Sequence, residues 1–129
     1  MGEIDIVGKQ DDGCRALFRN MFPEFHWNAI ETWALQAGVP DAEYCTPDGV
    51  SGWVEFKAFG KNGEKPTLRP AQIGWIERRL RHKGNVHIFI KKERELYYCD
   101  PRDSRQMLEK MIGPLTKDQI REILVRAEG

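Results

Sequence analysis

The stretch Gly38-Val39-Pro40-Asp41-Ala42-Glu43-Tyr44-Cys45-Thr46-Pro47-Asp48-Gly49, continued by Val50-Ser51-Gly52-Trp53-Val54-Glu55-Phe56-Lys57-Ala58-Phe59, decides how the chain reads. Gly38-Val39-Pro40 marks a turn, and Asp41 to Cys45 enters a short strand. Thr46-Pro47-Asp48-Gly49 places proline and glycine where a reverse turn wants them. Residues 53–59 then form a second strand, and the pair reads as a β-hairpin. Side chains alternate along a strand, so Glu55 and Lys57 share one face while Val54 and Phe56 point the other way into apolar packing. Pairing through the turn could bring Asp41 close to Glu55, but the register is left open.

On the N-terminal side, residues 1–10 read as a loose or edge segment. Residues 11–22 form an amphipathic helix in which Ala16, Leu17, Met21 and Phe22 recur and Asp11 and Asp12 suit the N-terminus. Pro23 ends it. The aromatic and β-branched run from His26 to Trp33 is a first strand or an extended segment. On the C-terminal side, the Gly- and Lys-rich stretch 60–66 is a polar loop. Pro70 opens a helix at a position that tolerates it, with Ile73, Ile76 and Leu80 as its buried stripe and Gly84 as its stop. Residues 86–90 are a strand, 91–94 a charged turn and 95–99 a strand that can pair back. Two helical patterns follow, at about 104–112 and 117–127. The order is that of an α/β or α+β domain, a small mixed β-sheet flanked by helices, occupying 1–129 as one unit.

The chain has 129 residues, enough for one core, with 40% hydrophobic and 31% charged content. No apolar run has the length of a membrane span, and Met1–Asp5 is acidic rather than signal-like, so a cytoplasmic location is expected. Cys14, Cys45 and Cys99 are odd in number and widely spaced, which argues against a disulfide framework and a zinc site. The net charge of zero hides an asymmetry. Residues 57–94 hold eleven Lys/Arg against three acids, leaving that segment at +8 and the rest at −8. Such a segment is either a polyanion-binding face or ordinary solvated surface.

Asp41, Glu55 and Lys57 are the centre of the chemistry. Two carboxylates held close repel, and an oxygen-loving divalent cation resolves that repulsion. An ammonium beside them can orient a water and stabilise charge on phosphorus. The set therefore suits metal-dependent phosphodiester hydrolysis; a three-member salt-bridge cluster is the alternative.

Gly38-Val39-Pro40-Asp41, thirteen residues, then Glu55-Phe56-Lys57 resembles the PD-(D/E)XK nuclease motif. Arg69-Pro70-Ala71-Gln72-Ile73-Gly74-Trp75 is similar to the glutamine-bearing helix start of the virus-type replication-repair nuclease (VRR-NUC) branch. The resemblance covers about residues 11–99. It implies a restriction-endonuclease-like core, metal ligation by Asp41, Glu55 and the backbone carbonyl of Phe56, and Mg²⁺ or Mn²⁺ as cofactor. It gives Lys57 the water-orienting or charge-stabilising role and Gln72 a place facing the site, where a capping amide is the other reading. Many members carry an acid on the first helix; Asp11 and Asp12 are candidates here, with N-capping equally open, and Glu31 ranks behind them. The small phage-type members resemble Holliday-junction resolvases and act as homodimers, so branched DNA and a second copy of the chain are the implied partners.

Lys61 and Lys65 on the polar loop, with Arg69, Arg78 and Arg79, are candidate phosphate contacts, and Arg81 and His82 could also reach DNA. Arg78, Arg79 and Arg81 cannot all share one helix face. His26, His82 and His87 lack ligand spacing, and His87 reads as a strand-face residue. Trp27, Trp33, Trp53 and Trp75 read as core or interface rather than a base-stacking platform. A non-catalytic DNA-binding module and a restriction-type endonuclease are the rival functions.

Overall fold

Two parallel strands, β3 (Ser51–Ala58) and β4 (Val86–Lys92), form the middle of the sheet. β2 (Ala42–Cys45) runs antiparallel to β3, β1 (His26–Ala29) antiparallel to β2, and β5 (Glu95–Cys99) antiparallel to β4. The computed structural model describes residues 13–30 and 38–126. Over these residues the chain is a mixed α/β fold, with a five-stranded sheet in the order β1-β2-β3-β4-β5 flanked by helices. The hairpin expected from the 46–49 turn is β2–β3, closed by the Thr46 N–H donating to the Val50 carbonyl at 2.8 Å. Parallel strands cannot be joined by a tight turn, and the crossover from β3 to β4 contains the helix α2 (Pro70–Arg81).

Each face of the sheet carries its own core. Val54, Phe56 and Phe89 pack under α1 (Cys14–Met21) and a C-terminal helix, Lys117–Val125, with Phe18 at 4.9 Å centroid distance from both Phe56 and Phe89. On the opposite face Val86, Ile88 and Ile90 pack against Ile76 of α2 and Met107. β4 is buried at every residue from Val86 to Ile90, which is why apolar side chains fill both of its faces and His87 alone breaks the run. Trp53, Glu55 and Lys57 look toward the α2 side, opposite Val54 and Phe56.

Several local expectations need correction. In α1 the buried residues are Cys14 and Phe18, with Phe22 just beyond; Leu17 and Met21 pack partly buried against the same core, and Ala16 is exposed. The four-residue spacing of Cys14, Phe18 and Phe22 puts these three on the sheet-facing stripe. Lys91 and Lys92 extend β4, and the turn begins at Glu93, which takes φ 58°. α2 ends at Arg81; Gly84 closes the turn beyond it, its N–H donating to the Arg79 carbonyl at 2.8 Å, and the left-handed residue of that turn is Lys83 (φ 61°).

The helix expected over 104–112 divides into a 3₁₀ segment, Pro101–Gln106, and a single turn, α3 (Met107–Lys110). Ile112 is extended and exchanges two backbone hydrogen bonds with Tyr98, of 2.9 and 2.8 Å. That pairing covers part of the otherwise open outer edge of β5.

The final helix, α4 (Lys117–Val125), starts at a reciprocal cap in which Thr116 and Gln119 each accept the other's backbone N–H. It is tied to the sheet by the Tyr44 hydroxyl, which donates to the Leu124 carbonyl at 2.7 Å. Among the described residues no helix is long and apolar enough to cross a membrane.

Candidate functional site

The register of the β2–β3 hairpin places Ala42 opposite Val54, so Asp41, one residue before β2, comes level with Glu55. β2 stops there because Pro40 has no N–H to continue the ladder. The Phe56 N–H, facing that gap, donates instead to Asp41 Oδ2 at 2.9 Å. The N–H and C=O of one strand residue leave on the same side, so the Phe56 carbonyl also faces the end of β2.

Glu55 is 2% exposed, on the face covered by α2. Burial raises its pKa well above the ordinary carboxylate range, and the Asp41 charge beside it raises it further, while Lys57 opposes the shift. Lys57 Nζ lies 4.0 Å from Glu55 Oε2, with the lysine side chain 15% exposed. Burial lowers the Lys57 pKa, Glu55 opposes that shift, and Arg69 adds to it.

Gln72 completes the group, and both readings of it hold at once. Its Oε1 accepts the Arg69 N–H at 2.8 Å, capping α2 from inside. Its Nε2 therefore faces the other way and donates to Glu55 Oε2 at 3.1 Å. Gln72 is 6% exposed, so this amide is a buried bridge between the helix start and the carboxylate.

Gly38 makes that closeness possible. It takes φ 87°, and a Cβ there would lie 2.6 Å from the Ala71 carbonyl carbon and 3.1 Å from the Gln72 nitrogen. Gly38 thus lies directly on the first turn of α2.

Arg15 is a member of the site that sequence reasoning missed. From α1 its Nε donates to the Asp41 carbonyl and its Nη2 to the Ile30 carbonyl, both at 3.2 Å, and Nη2 stands 3.6 Å from Asp41 Oδ1. No local motif could have marked it, because its partners are 15 and 26 residues away.

Asp41, Glu55, Lys57 and Gln72 are therefore brought together. Asp11, Asp12, Glu31 and Trp33 lie outside the described residues. Among the described residues, no group of three or more His, Cys, Asp or Glu is placed to hold a metal. The Asp41–Glu55 pair still fits a hard divalent cation. Its donors are oxygens, and a carboxylate buried against a second carboxylate is an electrostatic conflict that a cation removes.

Lys61, Lys65, Arg69 and Arg78 are exposed. Lys65 lines a groove of about 490 Å³ shared with Leu68, Ile73, Arg105 and Leu108. Arg79 is half-buried and stacks on Trp75 and Trp53, at 4.4 and 5.3 Å from their ring centroids. The two indoles meet edge to face, packing against the strand and helix, in line with their reading as core or interface.

His87 is a buried strand residue, 3% exposed, whose Nδ1 is 3.2 Å from the Tyr98 hydroxyl. Its burial lowers its pKa to about 4. Compared with protein families and with curated proteins, the chain matches no family model and no curated sequence.

Proposed function

We propose that the chain is a divalent-metal-dependent DNA endonuclease of the VRR-NUC type, with a PD-(D/E)XK core, that hydrolyses phosphodiester bonds and prefers branched DNA such as Holliday junctions. The observation that supports it best is the convergence of Asp41, buried Glu55, Lys57 and Gln72 at the end of β2. Scattered surface charge does not need a buried carboxylate held by a buried amide.

Asp41, Glu55 and the Phe56 carbonyl would hold Mg²⁺ or Mn²⁺. When bound, the cation supplies Lewis acidity and lowers the pKa of a water molecule. Gln72 fixes the orientation of Glu55 through Oε2. Lys57, held beside the same oxygen, orients the attacking water and offsets negative charge gathering on the phosphate. Its burial-lowered pKa eases proton exchange with that water. Lys61, Lys65 and Arg69 follow the site in sequence and can take the flanking phosphates, with Arg78 and Arg79 further along α2. A homodimer would present two such sites related by a two-fold axis, as cutting opposed strands requires.

The test is cleavage of a four-way junction, a flap and a linear duplex by purified protein with Mg²⁺, Mn²⁺ or EDTA. Metal-dependent scission, fastest on the junction, is expected. It should be lost in Glu55→Ala and Lys57→Ala while folding and junction binding persist. Cleavage retained by both variants removes the mechanism. Binding with no scission in any divalent metal makes the chain a non-catalytic DNA-binding module, and sequence-dependent cutting of the linear duplex makes it a restriction-type enzyme.

A further inference from the structure

We propose that Arg15 sets the divalent-cation affinity of the site by competing with the cation for Oδ1 of Asp41. The inference rests on the metal-site reading above and adds to it a residue that tunes the site.

The two oxygens of Asp41 have different neighbours. Oδ2 accepts the Phe56 N–H at 2.9 Å, a neutral donor belonging to the sheet. Oδ1 has a guanidinium nitrogen at 3.6 Å. That guanidinium is not a loose surface group. Its Nε is held by the Asp41 carbonyl and its Nη2 by the Ile30 carbonyl, each at 3.2 Å. The Asp41 carbonyl also accepts the Ile30 N–H at 2.9 Å, so the backbone it grips is itself fixed.

Swinging Arg15 aside would break both carbonyl contacts. A cation approaching Oδ1 therefore meets a positive charge that is costly to move. The side chains of Arg15 and Asp41 are only 23% and 24% exposed, so solvent screens that repulsion incompletely. Lys57 stands in a different relation, because its contact is with Glu55. Arg15 of α1 thus reaches Asp41, and Lys57 of β3 reaches Glu55. The carbonyl contacts alone would make Arg15 a structural buckle between α1, the end of β1 and the start of β2. Its place on Oδ1 gives it the second role, and the two roles differ in sign: loss of a buckle loosens the ligand and weakens metal binding, whereas loss of a competitor strengthens it.

The test is Mn²⁺ titration by calorimetry on the full chain, with thermal melts to verify folding. The proteins are wild type, Arg15→Met, Arg15→Gln, Arg15→Lys and Asp41→Asn. A unit charge within about 4–6 Å moves a charge-binding equilibrium by about tenfold or more. Arg15→Met and Arg15→Gln should therefore bind Mn²⁺ about tenfold tighter, although both melt at lower temperature than wild type. Arg15→Lys keeps the charge while losing the forked carbonyl contacts, and its affinity should stay nearer to wild type than to Arg15→Met. Gln retains a donor for one carbonyl, so the comparison survives if the Met variant does not fold. Mn²⁺ binding no tighter than wild type in the neutral variants overturns the inference and leaves Arg15 as a buckle alone. A wild-type chain that takes up no Mn²⁺, or an affinity unchanged by Asp41→Asn, overturns the metal site itself and this inference with it.

Discussion

Replacing Gly38 with alanine should damage both the fold and the site, and a second glycine allows the two causes to be separated. Gly38 has φ 87°, a left-handed conformation that costs an L-residue about 1–2 kcal/mol. A Cβ there would also stand 2.6 Å from the Ala71 carbonyl carbon and 3.1 Å from the Gln72 nitrogen. Those are backbone atoms in the first turn of α2, so relief requires the helix start or the Gly38–Asp41 segment to move, at about 1–3 kcal/mol more. The expected loss is about 2–5 kcal/mol.

Gly49 has nearly the same backbone, φ 89°, but a Cβ there meets nothing within 4 Å. Gly49→Ala therefore carries the conformational term alone, about 1–2 kcal/mol. Urea denaturation of both variants measures the difference directly. Because the displaced atoms include Gln72, Gly38→Ala should also weaken Mn²⁺ binding and metal-dependent scission, while Gly49→Ala leaves both unchanged. Equal destabilisation by the two variants, or full metal affinity in Gly38→Ala, would refute the claim that this close approach positions Gln72 against Glu55.

Three further expectations follow. Glu55→Gln should abolish scission yet stabilise the chain in EDTA: the folded-state pKa of Glu55 lies above the usual 4.5, so wild type loses stability as pH rises through that window and the variant does not, which urea melts at a series of pH values will show. His87 has the opposite sign. Its folded pKa of about 4 lies below the ordinary 6.5, so its contribution is complete above pH 6.5 and lost as pH falls toward 4, by about 3 kcal/mol, and His87→Leu should flatten that acid limb. Junction binding should weaken steeply with salt, and Lys61→Ala, Lys65→Ala and Arg69→Ala should each reduce the slope of log K against log salt by about one; slopes unchanged in all three would place the DNA elsewhere.

Much of the fold was open to reading because local chemistry and tertiary structure agree there. Thr46-Pro47-Asp48-Gly49 turns the chain whatever surrounds it, and the alternation of Val54 and Phe56 against Glu55 and Lys57 is a property of any strand. The run 86–90, apolar but for His87, is long enough for a buried strand and lies between Gly84-Asn85 and the Lys91-Lys92 pair. The reading failed where a local pattern was outweighed by distant partners. Residues 104–112 carry a helical pattern, but Ile112 is taken by Tyr98 across the edge of β5, and the helix shrinks to one turn. In α1, Leu17, Met21 and Phe22 pack on the core as read, but the sheet takes Cys14 and Phe18 at its centre and leaves Ala16 exposed.

The same division runs through the site. Sequence alone named two carboxylates and a lysine as one group and showed that Glu55 and Lys57 share a face, because strand geometry needs no information beyond the order of residues; Gln72 joined the group only through the family resemblance. Only the tertiary structure decided that Asp41 stands level with Glu55, that Glu55 is sealed under α2, that Gln72 both caps and bridges, and that Arg15 reaches Asp41 from another helix. The physical reason is that register, burial and charge pairing over 15 or more residues depend on which surfaces pack together, and that is a property of the whole chain.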